Sequence, residues 1–173
     1  MNMKKGFTLI EALVAVTILT LAVSGPLMAA SRAIVAAETS RDQLIASYLA
    51  QEGIEYIRAM RDDEYLKLYT SGDTTGAWAN FLAAISKCVG TACSFDRAGP
   101  SLSSCSGAAC TPLYLSSGIY TQQSTSGTKT VFTRTLQATS ISANEERIVS
   151  TVTWSFHDAL YTVTVTDHLT PWQ

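Results

Sequence analysis

The sequence predicts an α+β protein in which one long amino-terminal helix covers a four-stranded antiparallel sheet with its second half. Three observations predict it. The run Ala12–Ser31, ALVAVTILTLAVSGPLMAAS, has no charged residue between Glu11 and Arg32, and at 1.5 Å per residue it makes about 30 Å of helix. Beyond Arg32 the apolar residues continue at helical steps but on one side only. From Leu113 onward the texture changes to alternation and β-branched residues, the pattern of half-buried strands.

The chain's 173 residues and 47% hydrophobic content suit one compact domain plus an extra helix, and are short for two domains. A net charge of -2 with 15% charged residues argues against nucleic acid as a partner, because no broad basic surface can be built from it. Trp, Tyr, Phe and β-branched residues are plentiful after Pro112, so low charge does not signal disorder there.

The apolar run matches the thickness of a bilayer's hydrocarbon layer. Lys4 and Lys5 lie just before it, which places the amino terminus in the cytoplasm and everything after Arg32 outside. A cleaved secretory signal competes with this reading, since Ala29 and Ser31 offer small residues for a cut, but a secretory apolar core is shorter. A plain membrane anchor explains the length and leaves Glu11 unexplained. A carboxylate drawn to the membrane centre costs about 2.5–3.5 kcal/mol and needs a partner. Thr8 and Glu11 have the spacing of a capping box, which satisfies local amides. If instead the chain begins at Phe7, a free amino group lies one helical turn from Glu11, or beside the Glu11 of a neighbouring chain, and the two attract in a low dielectric. Composition does not choose between these accounts. Further on, Gly25-Pro26 removes a helical hydrogen bond, so a kink or local melt is expected; a passive kink is tolerated in membrane helices.

In the second half of the helix Ile45, Tyr48, Leu49, Tyr56, Ile57 and Met60 form the face expected to lie on the sheet, with Arg41, Asp42, Glu55 and Arg58 elsewhere. Gly53 weakens a helix by about 1 kcal/mol relative to Ala, so close packing against the sheet is expected at that point. Asp62, Asp63 and Glu64 read as a solvated helix end; calcium needs alternating oxygen ligands in a defined loop, which they do not offer. After the turn Gly72-Asp73-Thr74-Thr75-Gly76, Trp78, Phe81, Leu82 and Ile85 predict a short packed helix.

Four cysteines, Cys88, Cys93, Cys105 and Cys110, form two pairs of equal spacing. Zinc requires four thiolates in tetrahedral reach, usually with tighter loops, and no His lies between them. Outside the cytoplasm disulfides are expected instead, with three pairings open, serving to staple a loop too poor in apolar groups to hold itself. Strands are expected at Leu113–Tyr120, Lys129–Ser140, Arg147–Phe156 and Leu160–Asp167, with reversals at Ser142-Ala143-Asn144 and His157-Asp158. Ile148, Val152 and Trp154 share one face of the third strand, and Tyr161, Val163 and Val165 one face of the fourth. The two histidines, His157 and His168, are expected in exposed turns. No Gly-x-Ser-x-Gly or phosphate-loop pattern accompanies them, so the chain reads as no enzyme, with no cofactor and no metal.

The string Lys4-Lys5-Gly6-Phe7-Thr8-Leu9-Ile10-Glu11 resembles the processing and methylation signature of type IV prepilins and of the pseudopilins of type II secretion. The resemblance implies a leader of residues 1–6, cut between Gly6 and Phe7 on the cytoplasmic face by a membrane-embedded aspartyl prepilin peptidase that also methylates Phe7. It makes Glu11 the assembly carboxylate that pairs with a neighbour's terminus. Residues 7–31 become the transmembrane and assembly helix, in which related pilins carry a helix-breaking Pro. Residues 32–173 become an extracytoplasmic head containing the second half of the helix (32–62), a disulfide loop (88–110) and the sheet (113–167). The run Leu49–Asp62 and the tail Thr166–Trp172 resemble minor pilins. Implied partners are other pilin subunits, the prepilin peptidase, the inner-membrane assembly platform protein, and membrane lipid before assembly into a surface filament. Two further readings stand beside it. One is a pilus-tip adhesin or DNA-uptake subunit using the cysteine loop, where Lys87 and Arg97 are too few to argue for DNA on charge. The other is a membrane-anchored surface protein that is not a pilin.

Overall fold

The computed structural model describes residues 6, 8–70, 72–96, 99–106, 110–124 and 127–171. Lys4, Lys5 and Phe7 lie outside these residues, as do Arg97 and Trp172. The chain divides into two units, Met1–Asp42 and Gln43–Gln173, and helix α1, Leu9–Tyr69, contributes to both. Among the described residues the second unit, the head, adds helix α2 (Ala77–Ala84), a 3-10 turn (Ser86–Cys88) and eight strands. These are β1 (Cys93–Asp96), β2 (Gly99–Ser104), β3 (Tyr114–Ser116), β4 (Ile119–Thr121), β5 (Thr128–Lys129), β6 (Thr133–Ser142), β7 (Glu145–Phe156) and β8 (Ala159–Leu169).

The α+β architecture is as expected, but the sheet under the helix has five strands, in the order β2-β1-β6-β7-β8, and all its named pairs are antiparallel. Its additional strands come from the cysteine region, where Phe95 and Leu102 are buried and hold a hairpin that composition had suggested was an apolar-poor loop. Conversely, the segment expected as one strand at Leu113–Tyr120 is broken by a turn at Ser117-Gly118, both at positive φ of 49° and 82°. It forms β3 and β4 of a separate small sheet, order β4-β3-β5. Two successive left-handed residues suit a tight hairpin turn, and Gly at the second position lowers its cost. The β7–β8 turn uses the same device at His157 and Asp158, φ 48° and 62°.

Alternation organises the sheet. On β7 every residue of one parity from Glu146 to Trp154 is buried, as period-2 geometry requires when one face is covered. The cover is α1, through Ala46, Leu49, Ala50, Gly53, Ile54 and Ile57, spaced at three and four as a single apolar stripe demands. Ala46, Leu49 and Ala50 pack with Leu113, Phe132, Val152 and Trp154; Ile54 and Ile57 pack with Phe81, Ile85, Phe95 and Leu136. The stripe is offset from the expected face, for Tyr48 is 63% exposed. At Gly53 a Cβ would stand 3.0 Å from Leu136 Cδ2 and 3.2 Å from Ser150 Cβ, so the helix is close to the sheet there because this residue has no side chain.

The head also buries an arginine. Arg134 is 1% exposed; its Nη1 donates to Glu52 Oε2 at 2.6 Å and to the Leu49 carbonyl at 3.2 Å. Its guanidinium carbon lies 3.9 Å from the centre of the Phe95 ring, a cation–π contact strengthened by the absence of water.

Candidate functional site

In the first unit the amino-terminal stretch of α1 is an apolar surface with no cover of its own. No described residue from Thr8 to Glu38 is buried, and Leu9, Leu21 and Leu27 are 82%, 74% and 70% exposed. An 18-residue window of this helix has a mean hydropathy of 2.1, so by length and composition it can cross a membrane. Three of its hydroxyls are already satisfied within the helix. Thr17 donates to Val14 O at 2.8 Å, Thr20 to Thr17 O at 2.9 Å and Ser24 to Leu21 O at 3.1 Å. An apolar solvent therefore meets methyl groups and methylenes rather than hungry polar atoms. Helical structure is continuous through Gly25 and Pro26.

At the front of this helix Thr8 makes half of the predicted capping box. The Glu11 amide donates to Thr8 Oγ1 at 3.4 Å, and the Thr8 carbonyl accepts from the amides of Glu11 and Ala12 at 3.1 and 3.2 Å. The Thr8 hydroxyl reaches Glu11 Oε2 at 3.5 Å, the outer limit of a hydrogen bond. Glu11 is exposed, as is Gly6. A carboxylate held so weakly keeps most of its capacity for another donor.

The head carries the remaining candidates. Cys88 is joined to Cys93 and Cys105 to Cys110, each with Cα atoms 4.9 Å apart. The first bridge is part of the core, both its cysteines being at most 1% exposed, while Cys105 is only half-buried. Asp62, Asp63 and Glu64 are not a frayed end past the helix, because α1 runs on to Tyr69. Asp62 accepts from its neighbour Arg61 at 2.9 Å, and Glu64 accepts from Lys67 at 2.6 Å, an i,i+3 pairing that the extra helical turn makes possible. Asp62 and Asp63 line an open cavity of about 510 Å³ with Tyr65, Leu66, Tyr69 and Thr74. Among the described residues no group of three His, Cys, Asp or Glu side chains is placed to hold a metal ion.

His157 occupies its expected turn, whereas His168 is in strand β8 and its Nδ1 stands 2.7 Å from Glu145 Oε1. Neither has a nucleophile beside it among the contacts of the described residues. Two charged groups escaped the sequence reading, Arg134 and Glu146, although parity pointed to both. Arg134 alternates in step with Leu136 and Ala138, and Glu146 with Ile148 and Val152. Burial raises the Glu146 carboxyl pKa, and a hydrogen bond from Ser140 opposes this only in part.

The chain therefore has two unlike centres of interest: a head held by its own core contacts, and a helical segment whose apolar surface and leading carboxylate are exposed. No curated protein and no solved structure matches the chain. Residues 1–25 match the family described as the prokaryotic N-terminal methylation motif, which together with the long amino-terminal apolar helix is consistent with a type IV prepilin-like protein.

Proposed function

We propose that this chain is a structural subunit, a minor pilin or pseudopilin, of a type IV pilus or type II secretion-like filament. The methylation-motif match over residues 1–25 carries the reading. In it, prepilin peptidase cuts between Gly6 and Phe7 and methylates the new terminus. The precursor waits as a single-pass membrane protein with its amino terminus in the cytoplasm and its head outside. Two disulfides in the head support an oxidising compartment for that part. The platform protein of the assembly machine and other pilins then receive it. The resemblance of residues 49–62 to minor pilins favours an accessory role over the main subunit.

Assembly follows from what the first unit lacks. Leu9, Leu21 and Leu27 find no burial within their own chain, so lipid or other stems must cover them. Once stems pack together, Glu11 leaves water and its charge needs neutralising; the methylated amine of a neighbouring Phe7 supplies the opposite charge at helix-start height. Because an unpaired buried charge is costly, this pairing also sets the axial register of an incoming subunit.

Mass spectrometry of the protein isolated from its native cell tests the first step. The expected mature chain starts at Phe7 with one added methyl group; a chain that still starts at Met1, or starts beyond Ser31, ends the filament reading. The second step is tested by Glu11→Ala. Processing should continue and incorporation into filaments should be lost, whereas a plain anchor would behave as the parent does.

A further inference from the structure

Helix α1 carries an apolar wall past its acidic run. Leu66 is 62% and Tyr69 74% exposed, and with half-buried Tyr65 they follow Asp62 at steps of three and four, on one side of the helix. With Thr74 from the turn beyond the helix, they line the open cavity of about 510 Å³, a volume in the range of binding pockets. Exposed aromatic and aliphatic groups gathered around a hollow mark a surface made for contact.

Charge decides what fits it. Asp62 and Asp63 are the acidic part of the lining. Both contacts of Arg61, from Nε and from Nη2, fall on Asp62 Oδ1 at 2.9 Å. Among the described residues Asp62 Oδ2 and both oxygens of Asp63 accept no hydrogen bond. Lys67 is engaged by Glu64 at 2.6 Å, so both cations of this stretch already have an acid. Over residues 61–74 the acids Asp62, Asp63, Glu64 and Asp73 stand against Arg61 and Lys67 alone. The carboxyl end of α1 at Tyr69 adds the negative pole of the helix.

We propose that this cavity receives an arginine side chain of a partner protein, with the guanidinium on Asp63 and Asp62 Oδ2 and the stem along Leu66, Tyr65 and Tyr69. Three features select that occupant. The unused carboxylate oxygens and the helix pole call for a cation. The tyrosine rings suit a planar, weakly hydrated one, because a guanidinium stacks on aromatic faces better than a strongly hydrated ammonium does. The exposure of the walls selects a side chain over a free small molecule. A small ligand's site encloses most of the ligand's surface, whereas Leu66 and Tyr69 keep most of their own in water. The cover must then arrive with the cation, as a polypeptide supplies it, and tyrosine and arginine are both enriched at the centres of protein interfaces.

The test uses the full chain in detergent micelles, followed by NMR, with a glycine-flanked arginine peptide as the probe. Its twin carries citrulline, which keeps the shape and removes the charge. The arginine peptide should move the signals of Leu66, Tyr65 and Tyr69, and the citrulline peptide should bind about fivefold more weakly. Asp63→Asn should weaken the arginine peptide by a similar factor. Tyr69→Ala should weaken it about threefold, while Tyr69→Phe, which keeps the ring face, should not. Asp158→Asn, outside the cavity, should leave binding unchanged, with thermal unfolding showing that each head is folded. Leu66 and Tyr69 signals unmoved by the arginine peptide would overturn the proposal, as would equal binding of the two peptides or full affinity in Asp63→Asn. So would tetramethylammonium binding as tightly as the arginine peptide, for a free cation would then fill the cavity without a chain to cover it.

Discussion

Helix α1 is written in two languages. Before Asp42 its leucines, isoleucines and valines lie all round the helix and are exposed, Ile18 and Val23 both at 61%. After Gln43 the apolar residues narrow to a stripe, and Ala46, Ala50, Ile54 and Ile57 are at most 3% exposed. A stripe needs one partner surface, which the head's own sheet supplies; an all-round apolar helix needs a surrounding medium. The difference teaches where each part's stability comes from. Head residues are held by contacts within the chain, and the amino-terminal residues are not, so substitutions in the two parts should be read by different measurements.

Arg134→Ala should give the largest effect on the head. Truncating this buried side chain opens a cavity and leaves the half-buried Glu52 carboxylate without it, at a cost of about 3 kcal/mol together, and it would also strip a donor from the Leu49 carbonyl and a cation from the Phe95 ring. Denaturant unfolding of the full chain should show that loss, while Leu21→Ala should leave the head's unfolding unchanged. An equal loss from Leu21→Ala would break the division between the parts. Next come the disulfides. A loop of this size contributes about 2 kcal/mol by restricting the unfolded chain, and since both bridges close equal loops, burial should decide the rest. Cys88→Ala/Cys93→Ala should cost more than Cys105→Ala/Cys110→Ala, because only the first pair lies within the core cluster.

The same contrast explains what the sequence could reveal. The amino-terminal motif is a contiguous string, matched over residues 1–25, so it was legible without any fold, as was the apolar run behind it; the roles proposed for Gly6, Phe7 and Glu11 rest on that string alone. The long β6–β7–β8 meander was legible because alternation repeats over many residues. The hairpin of β1 and β2 was not: its four- and six-residue strands carry Ser, Gly and Pro, and it is fixed by the Cys88–Cys93 bridge and by Phe95 stacking on Tyr56 at 4.0 Å. Those contacts join distant residues, which local pattern cannot report. The helix end was misjudged for a related reason. The charges at Asp62–Lys67 resemble a terminus until their pairing at i,i+3 is seen.

Gly53 was read from local chemistry and can be tested as such. Gly53→Ala gains about 1 kcal/mol of helix propensity and meets Ser150 and Leu136 within overlap distance. Overpacking a close-packed interior costs about 1–3 kcal/mol, so a net loss of about 1 kcal/mol is expected. Adding Ser150→Ala removes the hydroxyl nearest the new methyl group and should recover part of it. Simple additivity of the two changes would show that helix and sheet move apart freely at this point.

The smallest effect is also the most diagnostic, because it concerns the head's own buried acid. Glu146 is 2% exposed and its Oε1 has no hydrogen-bond partner among the described residues; burial raises its pKa, with Ser140 opposing. The folded head thus holds this proton more tightly than the unfolded chain does. Its stability must then fall as pH rises from the ordinary glutamate value, about 4.3, through the raised one, and stay lower at neutral pH. Glu146→Gln removes the charge at every pH while keeping the shape. It should melt above the parent at pH 7, and the gap should close as the pH is lowered past the ordinary glutamate value. A gap independent of pH would mean that the carboxyl is not buried as charge. Glu11→Gln should leave the head's melting unaltered at both pH values and act only on assembly. One acid is then a burden the head carries alone, and the other is exposed and leaves the head's stability untouched.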